Sequence, residues 1–426
     1  MSTAGRPSIL VVGTVVPALA GQGSQMRFGM SIEALNQQFD VTLALALAVP
    51  GHAVPSIPEF FRRACRQIVV EGIGPGERSQ RQRIESLPGT LPLFARMLVP
   101  GPMECTDYPD ALIRRLAVGL EGQRFDALHV FRLRAAPVAR AIAARLADIP
   151  PVRLLDLDDI ESRATRRHAE LHRGSLGRLA YLGTRVEAAK LALSERRMAR
   201  WFQRLLVCSE TDRQVLAARV GNARTGVLPN GIRMPERVVP AREGLGGTVL
   251  FVGSLDYPPN IDAVEFLLRD VVPALRRRWS LPLAIRIVGR RPGAQLYRWA
   301  QDAGAEVLAD VPSVSEHYAD ADIVVAPIRT GGGTRIKILE AFAHERPVVS
   351  TTIGAEGLEV EPDQDLLIAD DPDAFANACA TLLTSTDHRR RLVAHAKNRV
   401  QETYSLEAIA LRVGDLYGQG SGSASG

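Results

Sequence analysis

Lysine is nearly missing from this chain. Of its 52 basic residues only Lys190, Lys337 and Lys397 are lysines, so its cationic chemistry rests on arginine. Cysteine is scarce as well. Cys65, Cys105, Cys208 and Cys379 lie far apart, with no CxxC and no histidine pair nearby. That argues against a disulfide framework and against a structural zinc site, and it suits a reducing cytosol. No apolar run approaches the roughly 20 residues that cross a bilayer, and no short-period repeat is present. None of the three lysines follows a glycine, which excludes a Walker A loop. A dinucleotide fingerprint is missing too. Gly21 and Gly23 fall too late after the first apolar run for its tight turn, and FVGSLDYPPN at 251–260 lacks the pattern, so NAD-type oxidoreduction is not expected.

What is present is an ordinary globular composition over 426 residues, 46% hydrophobic and 23% charged. That length suits two domains of about 200 residues each. The net charge of +5 favours anionic partners such as nucleotides, phosphates or the inner face of a membrane; nucleic acid is not expected. Short apolar runs alternate with longer amphipathic ones, the pattern of parallel strands buried on both faces by helices. The runs predict strands at 9–16, 41–47, 68–70, 127–131, 152–157 and 205–207. A second series follows at 249–252, 284–288, 306–308, 323–327, 348–351 and 366–368. Between the series lies PNGIRMPERVVPAREGLGG (229–247), with three prolines and four glycines, which reads as a linker. The first run, after Arg6, also resembles a short signal peptide ending at Ala18-Leu19-Ala20, but Gly13 and Pro17 interrupt it and a first strand is the preferred reading. Ser405 is placed to cap a last helix at 406–417, and GQGSGSASG is a flexible tail. The expected class is α/β, two Rossmann-like doubly wound domains with the ligand site in a cleft between them.

One stretch concentrates chemistry: IVVAPI (323–328), then Arg329-Thr330-Gly331-Gly332-Gly333, then a helix expected to start near Thr334. Glycines let backbone approach a ligand and present N–H groups, and a helix N-terminus adds partial positive charge, so phosphate is favoured there. Arg335 and Lys337 fall in the expected first turn, where cations oppose the helix dipole unless an anion is bound. Lys337 and Glu340 share a face of an otherwise apolar helix. Two readings of the pair are open: an internal salt bridge, or a lysine for a diphosphate and a carboxylate for ribose hydroxyls.

These blocks together resemble a glycosyltransferase of the GT-B fold, family 4. The residues are VCSETD (207–212), VLPNGI (227–232), FVGSLDYPPNIDAVEFL (251–267), IVGRRP (287–292), VPSVSEHYADADIVVAPI (311–328) and GGGTRIKILEAFAHERPVVSTTIGAEGL (331–358), with YSLEAIALRVGDLY matching the family's closing helix. The resemblance implies a retaining transfer of a sugar, of hexosyltransferase type, from a nucleotide diphosphate sugar, without cofactor or required metal. It implies acceptor binding by residues 1–235, donor binding by 236–402, a helix at 403–418 crossing back to the first domain, and domain closure. By position Arg335, Lys337 and Glu340 match the catalytic diphosphate and ribose contacts. Gly253, Ser254, Asn260, Gly289, Arg290, Gly331, Gly332, Gly333 and Thr334 complete the donor side, and Asn230 lies near the nucleotide and hinge. Gly21 and Gly23 match the first domain's loop toward donor phosphate and acceptor. Two departures stand out. The family's E-x7-E motif would start at Gly332, and the basic pair after FVGSL is replaced by Tyr257-Pro258-Pro259-Asn260. A branch similar to this chain carries GGGTR with YPPN, which implies substituted contacts rather than lost activity.

Weaker candidates remain. Asp156-Leu157-Asp158 is a DxD, read as metal ligands, as helix caps at Asp158 or Asp159, or as acceptor contacts, the last being preferred. Arg132 and Arg134, just past a strand, are either surface residues or acceptor-side contacts that bind phosphate or the acceptor. From Arg163 to Arg204 eleven basic residues face only Glu170, Glu187 and Glu195, with Leu179, Tyr181, Trp201 and Phe202 interleaved. This is a solvated helix pair or a peripheral contact with anionic lipid. No histidine spacing indicates a metal; His344, one turn beyond Glu340, is placed to orient it. The expected protein is cytoplasmic and acts in polysaccharide or glycoconjugate biosynthesis. The alternatives are a GT-B-like nucleotide-sugar epimerase or hydrolase, and a non-catalytic partner protein that keeps the fold.

Overall fold

The computed structural model describes residues 6–21, 23–89, 91–171, 173–174, 177–239, 247–331 and 335–418. The chain divides into two compact units, Met1–Pro229 with Ile409–Gly426, and Asn230–Ala408. The division thus falls at the start of the glycine- and proline-rich stretch 229–247.

The first unit is built on seven strands: β1 (Ser8–Gly13), β2 (Asp40–Pro50), β3 (Gln67–Ile73), β4 (Ala127–Phe131), β5 (Val152–Asp158), β6 (Arg204–Val207) and β7 (Thr225–Val227). They pair in parallel in the order β3-β2-β1-β4-β5-β6-β7, so the order reverses between β1 and β4. β1 stops at Gly13 and not at residue 16. A Cβ at Gly13 would lie 2.4 Å from the Phe28 ring, so the helix that follows packs over the strand end. β7 is an addition to the expected strands; three residues of TGV carry too little apolar signal to be read. The helices used below are α1 (Gly23–Asn36), α2 (Leu91–Leu98), α3 (Glu161–Leu171), α4 (Arg178–Met198) and α5 (Glu210–Val220). Ser209 caps α5, its Oγ accepting from Asp212 N at 3.1 Å, which explains the Ser-Glu-Thr-Asp block as a helix start.

The second unit repeats the plan with β8 (Gly247–Val252), β9 (Leu283–Gly289), β10 (Glu306–Ala309), β11 (Ile323–Ala326), β12 (Val348–Ser350) and β13 (Leu367–Ile368), in the parallel order β10-β9-β8-β11-β12-β13. Here the reversal lies between β8 and β11. Helices α6 (Pro258–Phe266) and α7 (Ile336–Ala343) follow β8 and β11. Each sheet is apolar on both faces: the successive residues Ile9, Leu10, Val11 and Val12 in β1, and Val249, Leu250, Phe251 and Val252 in β8, are all buried. That is why the strands read as continuous runs and not as alternations. The last helix, α8 (Leu406–Gly418), starts where Ser405 Oγ accepts from Ala408 N at 3.2 Å, and from Ile409 onward it belongs to the first unit. There Tyr417 Oη lies 2.9 Å from His129 Nδ1, and Gln38 Nε2 donates to Ala410 O at 2.6 Å.

Candidate functional site

In the second unit, the ends of β8, β9 and β11 converge on the start of α7. The helix begins at Ile336, later than expected, because Arg335 is its N-cap residue with extended backbone (φ −92, ψ 93). Gly332, Gly333 and Thr334 lie outside the described residues. Gly331 has φ 103, a left-handed conformation that only glycine takes without strain.

Lys337 leaves the second position of α7 and donates from Nζ to Asn260 Oδ1 at 2.8 Å, with the ammonium 4.1 Å from the centre of the Phe251 ring. Asn260, held in α6 by the Tyr-Pro-Pro-Asn turn, donates from Nδ2 to Ser254 O at 2.8 Å. Gly253 sits beneath this bridge: a Cβ there would be 2.8 Å from Asn260 Nδ2 and 3.0 Å from Lys337 Nζ. At the end of β9, a Cβ on Gly289 would come within 1.8 Å of Gly253 O, so only glycine fits. Arg290 is exposed, and its carbonyl accepts from Leu255 N at 2.8 Å. Arg335 donates from Nη2 to Thr330 O at 3.4 Å.

Glu340 does not take Lys337 as its partner. Its Oε2 accepts from the hydroxyl of Tyr318 at 3.1 Å, so each member of the pair is held by a neutral group and the direct salt bridge is not formed. Burial, with Arg335 nearby, brings Lys337 down to about 7; burial raises Glu340 to about 7 against the opposing pull of the Tyr318 bond and Lys337. His344 does not touch the Glu340 carboxylate. It stacks on Tyr318 with ring centroids 4.9 Å apart and so steadies the phenol that holds it. Tyr318 and Phe251 were not singled out in the sequence, since neither has a spacing that ties it to the lysine. The arrangement offers a partly buried cation and a partly buried carboxylate at the strand ends where the sheet order reverses, the place where open α/β sheets take ligands.

The first unit brings Arg132 and Asp158 together, with Arg134 two residues along the chain. Arg27 of α1, fully buried, pairs with Asp156 at 2.7 Å and with Asp158 at 3.4 Å. Arg132 pairs with Asp158 at 2.6 Å and with Glu161 at 3.3 Å. The surface reading of Arg132 therefore fails, because the carboxylates of Asp158 at the end of β5 and Glu161 at the start of α3 draw its guanidinium inward. Asp158 does not cap a helix either. It ends β5 at φ 64 and is neutralised by two arginines. Among the described residues no three His, Cys, Asp or Glu groups are placed to hold a metal. Gly21 has φ 115, and Gly23 is the first residue of α1 and not part of a loop, so the turn ahead of the helix is shorter than expected.

Residues 246–385 match the family model described as Glycosyl transferases group 1, a segment that contains the whole Lys337–Glu340 constellation. A curated relative, an uncharacterised 44.6 kDa protein in the cps region of Klebsiella pneumoniae, is 28% identical over 168 residues, 38% of this chain and 43% of that protein. Among solved structures, sucrose-phosphate synthase from Thermosynechococcus elongatus superimposes with a TM-score of 0.67 at 18% identity, covering 97% of this chain and 98% of its own. HepE from Anabaena, in complex with UDP-glucose, gives 0.64 at 13% identity over 97% and 100%. The fold is thus α/β of the GT-B type, with two Rossmann-like domains.

Proposed function

We propose that the protein is a glycosyltransferase that moves a sugar, with retention at the anomeric carbon, from a nucleotide diphosphate sugar to a glycan, lipid-linked glycan or small-molecule acceptor. One observation carries the reading: the partly buried Lys337 ammonium, braced by Asn260 over Phe251, lies inside the segment that matches the Glycosyl transferases group 1 model. Breaking the bond between sugar and diphosphate builds negative charge on the leaving phosphate while the sugar becomes oxocarbenium-like. Arg335, Lys337 and the N–H groups that open α7 supply fixed positive charge at that point, a role that needs no metal. Glu340, held by Tyr318, accepts from ribose hydroxyls. Gly253 and Gly289 keep side chains out of the floor, and Ser254, Asn260, Arg290 and Gly331 line the donor side. Loss of one such charge contact lowers the rate by about 10²–10³.

The acceptor side is assigned to the first unit. Within it α2 and α4 pack together and expose Leu91, Phe94 and Leu98 (84% exposed) along one face, with Leu179 and Leu182 on α4, beside Arg96, Arg178, Arg185 and Lys190. An apolar stripe bordered by arginines suits the surface of an anionic membrane. No helix among the described residues is long and apolar enough to cross a membrane, and the free cysteines fit a reducing cytoplasm. Gly332, where a glutamate stands in the resembling family, favours a second reading as a non-catalytic partner; the partly buried lysine and carboxylate weigh against it.

The test is thermal stability of the wild-type protein, Lys337→Ala and Glu340→Ala with UDP, GDP, ADP, TDP and NAD. HepE binds UDP and UDP-glucose in its crystal structures, so UDP is the first candidate. A stabilisation of several degrees by one nucleoside diphosphate, lost in both variants, is expected. A shift that both variants keep, or none with any diphosphate, overturns the reading.

A further inference from the structure

The chain that leads into α7 is held to α6 by more than the lysine bridge. Arg329, three residues past β11, donates to Asp262 of α6 from Nε at 3.1 Å and from Nη2 at 2.6 Å, a bidentate pair. Its guanidinium also lies 4.6 Å from the centre of the Phe266 ring. Asp262 and Phe266 are one turn apart on α6, so the two side chains form a single seat for the arginine. Gly331 leans on the proline turn of the same helix: a Cβ there would be 3.2 Å from Pro259 Cγ. Arg335 ties back to Thr330 O, and Lys337 to Asn260. Three residues of α6, Pro259, Asn260 and Asp262, thus grip the chain on both sides of the glycine run, at Gly331, Lys337 and Arg329.

We propose that Asp262 is a positioning residue for the nucleotide diphosphate donor: by seating Arg329 it straps the chain ahead of α7 to α6 and so sets where Arg335 and Lys337 stand. The edge of the Arg329 guanidinium that would clamp a phosphate is occupied by a carboxylate, so this arginine is neutralised where it stands and acts on the donor only through the chain it anchors. Cations at a reacting diphosphate must be placed closely, since a shift of about 1 Å can cost about 10²-fold in rate. The Tyr-Pro-Pro-Asn block and the glycine run become two halves of one support. This role rests on the glycosyltransferase reading, which supplies the donor.

The experiment is calorimetric titration of the full chain with UDP, or with whichever of GDP, ADP and TDP stabilises the wild type. It compares wild type, Asp262→Asn, Arg329→Gln and the two combined, beside amide hydrogen exchange of residues 328–338 without nucleotide. Both substitutions leave the fold intact, because a half-exposed ion pair adds little to global stability. Each single variant is expected to raise Kd about three- to tenfold and to speed exchange in that stretch. The combination is no worse than either single variant, since both break the same bond. Loss of affinity in Arg329→Gln alone, or losses that add in the combination, would make Arg329 a phosphate contact, and tighter binding by Asp262→Asn would make Asp262 a mask over it; each overturns the proposal. So does faster exchange at an unchanged Kd, which leaves the pair a structural bond only. A wild type that binds no nucleoside diphosphate overturns the glycosyltransferase reading and the donor role with it, whereas a wild type that binds one, with every variant binding equally well, sinks the strap alone.

Discussion

Lys337 shows how far a single residue can be read. Its position after three glycines in a lysine-poor chain marked it for an anion. What holds it there, Asn260 and the Phe251 ring, came from elements 77 and 86 residues earlier in the chain. With the ammonium lowered to about 7, the folded protein binds fewer protons than the unfolded chain between about pH 7 and 10.5, so the lysine's contribution to stability rises with pH across that window. Glu340, raised from 4.5 to about 7, acts in the opposite sense: its contribution falls as pH rises between those values. An anionic ligand favours the charged lysine, and ribose hydroxyls favour the charged carboxylate. UDP binding is therefore expected to take up protons at pH 8 and release them at pH 6, read by calorimetry in buffers of different ionisation enthalpy. Lys337→Met removes the uptake at pH 8. Uptake that is equal at the two pH values, or that survives in Lys337→Met, contradicts this account of the site.

At the scale of elements, α2 and α4 carry a feature that periodicity alone leaves ambiguous. Leu91, Phe94 and Leu98 stand at i, i+3 and i+7, the spacing of a helix face that packs inward. In the folded chain that face is solvent-exposed, 53%, 46% and 84% for the three residues, while other residues of α2 meet α4. If this face meets lipid, the protein floats with phosphatidylglycerol vesicles and not with phosphatidylcholine, and salt weakens the association. Leu91→Ser with Leu98→Ser abolishes flotation and leaves the UDP shift intact. Equal flotation by wild type and double variant on anionic vesicles would falsify the lipid contact.

At the scale of the whole molecule, the chain closes on its first unit. Ile409, Ala410, Val413 and Tyr417 of α8 are buried there, and Tyr417 bonds His129 next to the Asp156–Arg27 pair. Truncation after Ala408 removes these buried side chains and leaves the second unit's residues complete. Burial of that size corresponds to several kcal/mol, so a loss of at least about 5 °C in Tm is expected, with UDP still stabilising the protein. A truncated chain as stable as the full one means that α8 contributes little to the first unit.

What the sequence determined by itself follows from local physics. Continuous apolar runs force strands buried on both faces, so the two sheets could be read from residues such as 9–12 and 249–252. The glycines at 331–333 and a lysine among arginines pointed to an anion site, because free backbone N–H groups and cations at an expected helix start favour phosphate, and the family resemblance added Gly253 and Gly289. The tertiary structure decided which groups meet. Only the folded chain sets Tyr318 against Glu340, turns His344 onto Tyr318, and draws Arg132, Asp158 and Arg27 into one buried network. Such partners are brought together by parallel crossovers across tens of residues, and no periodicity or spacing along the chain encodes which strand end a side chain will face.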